Sequence, residues 1–150
     1  MRAIGVDLGS KRIGVAVSAG AVATPYEVVQ RSGDRARDHR ALRELVEEAE
    51  AEIVVVGLPL RLDGSVGPAA QAALDEVAEL ACTVGVPVET YDERLTTVTA
   101  DRSLLTMNLK ADARRRVVDK VAAAVILQSW LDHRRVAGPR SAEIDPGTDS

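Results

Sequence analysis

Asp7 is an acidic residue at a position where an acid is costly. It shares one face of an alternating, strand-like run with Ala3 and Gly5, and the next alternating run presents Gly14 and Ala16 on its own small-residue face. Small residues on neighbouring strands allow another element to approach the sheet closely. A carboxylate on such a face needs solvent, a positively charged partner or a metal ion.

Two other places in the sequence could bring acids to the same spot. Asp119 lies in a predicted helix on one stripe with Ala122, Ala123, Ile126 and Trp130. Packing of this stripe on the small-residue face would point Asp119 at Asp7. Asp92 and Glu93 end a predicted parallel strand, at the sheet edge that ligand sites favour. The residues therefore predict that Asp7, Asp119 and either Asp92 or Glu93 converge.

Converging carboxylates predict a site for hard divalent cations. Mg²⁺ and Mn²⁺ prefer oxygen ligands, and two such ions about 4 Å apart can clamp a phosphodiester during hydrolysis. No histidine or cysteine cluster offers a competing site. His39 and His133 lie on charged helical segments and are predicted at the surface, whereas Cys82 lies on an Ala-rich helix and is predicted in the core.

Positively charged residues near these acids are candidates for binding substrate phosphates. The alternative for Lys11 and Arg12 is a solvated hairpin tip, and the alternative for Arg94 is a surface salt bridge with a neighbouring acid. For the basic run from Lys110 to Arg116 the alternative is a solvated helix start. A mobile basic loop at residues 107–116 could follow a nucleic-acid backbone. The candidates are Lys11, Arg12, Arg94, Lys110, Arg114, Arg115 and Arg116.

The elements that position these residues predict an α/β fold. Periodicity and breakers predict five strands and four helices in the order β-β-β-α-β-α-β-α-α, with antiparallel strands 1–3 and parallel strands 1, 4 and 5. Helices would cover both faces of this mixed five-stranded sheet. The predicted strands are 2–8, 12–18, 25–30, 53–57 and 88–92, and the predicted helices are 34–50, 68–85, 96–105 and 115–134.

Length and composition limit the class of protein. The 150 residues suit one domain, predicted at 1–136, with a disordered tail at 137–150. A net charge of −4 excludes a uniformly basic coat, and three aromatic residues argue against binding by base stacking. The single cysteine indicates a cytoplasmic protein, and no apolar run is long enough to span a membrane.

Four segments resemble the motifs of the YqgF/RuvX family of RNase H-fold nucleases. This resemblance implies an RNase H-like fold, a metal-dependent hydrolase that cleaves phosphodiester bonds, and processing of the 5′ end of pre-16S rRNA. By position it implies that Asp7, Glu93 and Asp119 are the catalytic and metal-binding residues. Many members carry Asp after GVAVS, where this chain has Ala19. The segments are GVDLGSKRIGVAVS (5–18), VVGLPLRLDGSVG (55–67), YDERLTT (91–97) and VDKVAAAVILQSWLD (118–132).

Other functions stay open at the level of sequence. The fold implied by the resemblance is also that of Holliday-junction resolvases, so branched DNA is an alternative substrate, and cutting two strands of a junction would require a symmetric homodimer. A non-catalytic factor that binds rRNA through the basic run is a second alternative. GVDLGS (5–10) also resembles the phosphate-binding hairpin of actin-like ATPases, but those enzymes need two domains and this chain supplies one.

Overall fold

The structure, a computed structural model, describes residues 1–96 and 111–144, with side chains for 1–96 and 118–134. Residues 97–105 of the predicted short helix and 107–110 of the predicted loop at 107–116 lie outside these residues. So do residues 145–150, the end of the predicted tail. The rest of the predicted loop, 111–116, is helical instead, since alanine and arginine are good helix formers.

Five strands form one mixed sheet in the order β3-β2-β1-β4-β5. The first three strands pair antiparallel, while β4 pairs parallel with β1 and with β5. This arrangement confirms the predicted sheet, although β3 begins at residue 22 rather than 25. The strands are β1 (Ala3–Leu8), β2 (Arg12–Ala19), β3 (Val22–Gln30), β4 (Ile53–Leu58) and β5 (Val88–Asp92).

Helices cover both faces of the sheet, as predicted. α1 (Arg35–Ala49) and α2 (Pro68–Ala81) pack on one face, where Leu42, Val46 and Leu80 join the inward side chains of the strands. On the other face lies α3 (Ala111–Ile144), and a single 3-10 turn, Glu93–Leu95, follows β5. α3 begins before the predicted residue 115 and continues beyond 134. It also passes residue 136, so the division into a 1–136 domain and a tail stays a prediction.

α3 packs unusually close to the sheet because the facing strand residues are small. A Cβ atom built on Gly5 would lie 2.6 Å from the Cβ of Leu127, and one built on Gly14 would overlap the carbonyl group of Asp119. Backbone of the helix therefore rests directly on backbone of the strands. The predicted close approach of the last helix to the small-residue face is confirmed.

The two edge strands are both interrupted or short. β3 contains Pro25, and its pairing with β2 shifts register between Val15 and Ala16, which leaves one extra residue in β3. At the opposite edge, β5 has only five residues. In the described part of the chain no helix is long and apolar enough to cross a membrane.

Helix α1 begins at a side-chain cap and ends at a residue in the conformation that glycine usually adopts. The carboxylate of Asp34 accepts a hydrogen bond from the backbone N–H of Arg37, and Glu50 ends the helix in the left-handed conformation with φ of 54°. The helix bounds agree with the predicted 34–50. An N-cap of this kind satisfies one of the backbone donors that the first helical turn leaves unpaired.

We expect Asp34→Ala to lower the free energy of unfolding by about 1 kcal/mol, because it removes this cap. The measurement is equilibrium unfolding in urea. Asp34→Asn is the matched control, since asparagine caps helices about as well as aspartate and should cost less than about 0.5 kcal/mol. Equal losses in the two variants would show that the cap does not contribute.

Two predictions about single residues are wrong. His39 is 2% exposed rather than at the surface, because it lies on the inward stripe of α1 with Leu42 and Val46. Cys82 is exposed rather than buried in the core, because α2 ends at Ala81 and the thiol lies beyond the packed part of the helix. The exposed position of His133 is confirmed, and its imidazole shares a hydrogen bond with the hydroxyl of Tyr91.

Candidate active site

Asp7 and Glu93 line the same cavity at the carboxyl edge of the parallel strands. Asp7 is the second-last residue of β1, and Glu93 directly follows the end of β5. The cavity has a volume of about 910 Å³ and opens between this edge and helices α1 and α2. Lys11 and Gly57 also line it. Two of the three predicted acids thus face one space, although 86 positions separate them in the sequence.

Gly57 makes room for the Glu93 carboxylate beside β4. A Cβ atom built on Gly57 would lie 2.8 Å from Oε2 of Glu93 and would also press on the side chain of Ile126. Any larger residue at this position would therefore push the carboxylate away from the strand. This close contact between Gly57 and Glu93 explains how an acid beyond β5 reaches across β4 toward β1.

Asp92 has different surroundings from Glu93. Its carboxylate accepts hydrogen bonds from the side chain of Arg94, at 2.6 Å from Nη2, and from the backbone N–H of the same residue at 2.9 Å. These bonds hold the pKa of Asp92 below its usual range. The sequence left Asp92 and Glu93 as alternatives, and of the two only Glu93 lines the cavity.

Asp119 lies against the strand next to that of Asp7, and its carboxylate is engaged by a positive charge. Its backbone rests against Gly14, which is the residue paired with Asp7 across the β1–β2 ladder. One oxygen, Oδ2, accepts a hydrogen bond from Nε of Arg12 at 2.7 Å, in a half-buried ion pair. This partner is 107 positions away in the sequence.

The donor set suits a hard cation only in part. Asp7 and Glu93 supply carboxylate oxygens to one cavity, and Gly57 leaves a cradle that a side chain would fill. Among the residues with described side chains, no group of three or more His, Cys, Asp or Glu is placed to hold a metal ion. A site built from all three acids would require the Asp119 carboxylate to turn from Arg12.

The predicted phosphate-binding residues fall into three groups. Lys11 is exposed and lines the cavity, so it is placed to meet a bound phosphate. Arg12 contacts Asp119, and Arg94 braces the loop after β4 by donating to the carbonyl of Leu62 at 3.2 Å. The third group is the rest of the basic run, whose side chains the structure does not describe. Lys110 lies outside the described residues, and only the backbone of α3 is described at Arg114, Arg115 and Arg116.

A buried polar network beside the cavity was not predicted from the sequence. Glu76 on α2, 4% exposed, accepts two hydrogen bonds from the guanidinium of Arg31, at 2.7 and 2.9 Å, and lies 2.8 Å from Nε2 of His39. We call these three side chains the Arg31 network. The spacing of His39 with Leu42 and Val46, typical of the inward face of a helix, was the available signal.

We expect Glu76→Gln to flatten the loss of stability at acid pH. Burial raises the pKa of Glu76, but hydrogen bonds from Arg31 and His39 outweigh it and the pKa is lowered from its ordinary 4.5. The contribution of this carboxylate to folding is therefore present above 4.5 and is lost as pH falls through the lower folded value. The measurement is the free energy of unfolding in urea from about pH 6 to about pH 3.

The control for this pH experiment is Glu79→Gln, which removes an exposed carboxylate from the same helix. Its acid dependence should follow that of the unmodified chain. An unchanged acid slope in Glu76→Gln would contradict the linkage.

Comparison with known proteins agrees with the fold and the motifs. The chain superimposes on Thermus thermophilus RuvC bound to a Holliday junction substrate with a TM-score of 0.54 and 20% sequence identity, covering 90% of this chain and 96% of that chain. This likeness defines the fold as RNase H-like. A family model described as RuvX, Holliday junction resolvase, matches residues 1–133.

Curated relatives match most of the sequence. A protein of Mycobacterium sp. (strain KMS) is 51% identical over 139 residues, covering 91% of this chain and 82% of its own. A protein of Myxococcus xanthus is 48% identical over 137 residues, covering 90% of each. Both are named "Putative pre-16S rRNA nuclease". The family model and these relatives define the class of protein: a nuclease, which hydrolyses phosphodiester bonds. The chain belongs to the RuvX family.

Proposed function

We propose that the chain is a divalent-metal-dependent endonuclease that processes the 5′ end of pre-16S rRNA in the cytoplasm. The observation that carries the proposal is the meeting of Asp7 and Glu93 in one cavity of an RNase H-like fold. The names of relatives about half identical to this chain support RNA as the substrate. Nucleases and resolvases of this fold class generally depend on a divalent metal.

The three predicted acids would act through bound metal ions. Asp7, Glu93 and Asp119 would hold one or two Mg²⁺ or Mn²⁺ ions. Such ions, when bound, activate a water molecule and stabilise the leaving oxygen. Gly14 lets the backbone of α3 at Asp119 lie against β2, and Gly57 lets the Glu93 carboxylate lie against β4.

The basic residues would bind the phosphates that flank the cleaved bond. Lys11 lines the cavity and approaches from the β1–β2 turn. Arg12 would leave Asp119 and bind a substrate phosphate when Asp119 becomes a metal ligand. The same side chain would then serve both the resting site and the substrate-bound site. Lys110, Arg114, Arg115 and Arg116 would extend contact along the backbone, and Arg94 holds the rim of the cleft through the loop after β4.

A cleavage assay tests the proposal. Purified protein is mixed with a pre-16S rRNA 5′ leader while Mg²⁺ and Mn²⁺ are titrated, with EDTA and Ca²⁺ as controls. Cleavage at a defined site only with Mg²⁺ or Mn²⁺ is expected. Leader RNA that is bound but never cut, in any metal, would overturn the nuclease proposal and leave a binding factor.

Branched DNA is the second candidate substrate. The family description, Holliday junction resolvase, favours it. A synthetic four-way junction therefore accompanies the leader RNA in the same assay, and the oligomeric state is measured by light scattering. Symmetric cuts in the junction by a homodimer, without cleavage of the leader, would move the proposal from rRNA processing to resolution of recombination intermediates.

A further inference from the structure

We propose that Arg31 is a positioning residue that fixes the turn after Asp7 and so holds this acid in register with Glu93. Arg31 directly follows β3 and lines the cavity together with Asp7 and Glu93. The inference rests on the proposed nuclease function, because it concerns the geometry of that site.

Arg31 ties the β1–β2 turn to the helix on the far side of the cavity. Its Nε donates to the carbonyl of Gly9 at 2.8 Å, and its backbone N–H donates to the carbonyl of Lys11 at 3.0 Å. Its two terminal nitrogens are bound by Glu76 on α2. One side chain thus spans from the turn that begins two residues after Asp7 to the opposite wall of the cavity.

The far end of this tie is itself fixed. Glu76 is buried and is contacted by His39 from α1 as well as by Arg31, so its carboxylate has a single defined position between two helices. Buried ion pairs contribute little net stability after desolvation, because their attraction mainly offsets the cost of removing both charges from water. A costly network at the wall of the cavity is therefore better explained by placement of the turn than by stability alone.

The turn that Arg31 contacts is tight, so a change at Gly9 is passed directly to its neighbours. The N–H of Gly9 donates to the carbonyl of Asp7 at 3.0 Å, and a side chain at Gly9 would overlap the carbonyl of Arg12. Any shift of this tight turn moves Asp7 and Lys11 together. Displacement of a reacting group by about 1 Å can reduce a rate by about 100-fold, so small slack here is sufficient to impair cleavage.

The experiment compares Arg31→Lys with the unmodified chain. Lysine keeps the charge beside Glu76 but cannot also donate to Gly9 from a planar fork. We expect kcat to fall by about tenfold or more while KM stays within about threefold, because substrate phosphates are still bound but Asp7 is misplaced. We also expect the amide protons of residues 9–11 to exchange about tenfold faster, with the rest of the sheet unchanged.

Arg43→Lys is the matched control, because Arg43 forms an exposed ion pair with Glu47 on α1, away from the cavity. Glu76→Gln is a second variant that removes the fixed end of the tie without changing its shape, and it should accelerate exchange in the same turn. Activity lost only in proportion to the unfolded fraction, or unchanged exchange at residues 9–11 in both variants, would overturn the positioning role. Absence of cleavage by the unmodified chain would instead overturn the proposed function, and the exchange data would still decide whether Arg31 fixes the turn.

Discussion

Asp7→Asn is expected to reduce cleavage of the preferred substrate by roughly 10³-fold, about 4 kcal/mol of transition-state stabilisation. Asparagine keeps the shape of the side chain near the end of β1 but removes one of the two carboxylate charges, Asp7 and Glu93, that line the cavity. The melting temperature should change by no more than a few degrees, since no packing volume is lost. Single-turnover cleavage at saturating Mg²⁺, together with thermal unfolding, measures both effects.

The control is Asp75→Asn, which makes the same chemical change on the exposed side of α2. This variant should cleave at the rate of the unmodified chain. Full activity in Asp7→Asn would contradict the assignment of this acid to the site, and loss of folding in that variant would make Asp7 a structural residue.

The second large effect is expected at Gly14, where α3 touches the sheet. Gly14→Ala should lower the free energy of unfolding by about 3 kcal/mol, because the added methyl group meets the backbone carbonyl of Asp119, which cannot rotate away as a side chain can. The helix must shift outward, so Asp119 moves away from Asp7. Urea unfolding measures the stability loss, and cleavage measured on the folded fraction should fall as well.

Gly67→Ala provides the matched control. The nearest atoms to a Cβ there belong to the flexible side chain of Arg61, and the residue precedes α2 in an extended conformation. We expect a loss of less than about 1 kcal/mol and unchanged cleavage. Equal losses at the two glycines would mean that α3 is not held closely against β2.

The sheet and the approach of α3 could be predicted because they follow from local patterns. Alternating runs around short Gly turns specify the first strands, and continuous apolar residues at 53–57 specify a strand buried on both faces. The same patterns identified Ala3, Gly5 and Ala16 as a face that a helix could approach. Asp7 stood out on it for the same reason.

The partners of charged residues could not be predicted, because they depend on contacts distant in sequence. Arg12 meets Asp119 across 107 positions, and His39 meets Glu76 across 37. A pattern of charges along one helix indicates which residues are polar, but not which element will cover them. The position of His39 on the inward stripe of α1 could be recognised, but the acid from α2 that pairs with it could not. The exposure of Cys82 depends on where α2 ends.

The edges of the sheet have a consequence for behaviour at high protein concentration. Pro25 lacks an N–H to offer an incoming strand, and the extra residue in β3 twists that edge away from flat pairing. The five residues of β5 provide little length for a foreign strand at the other side. Fibril growth by pairing of the edge strand of one molecule with that of the next is therefore disfavoured at both edges of the sheet.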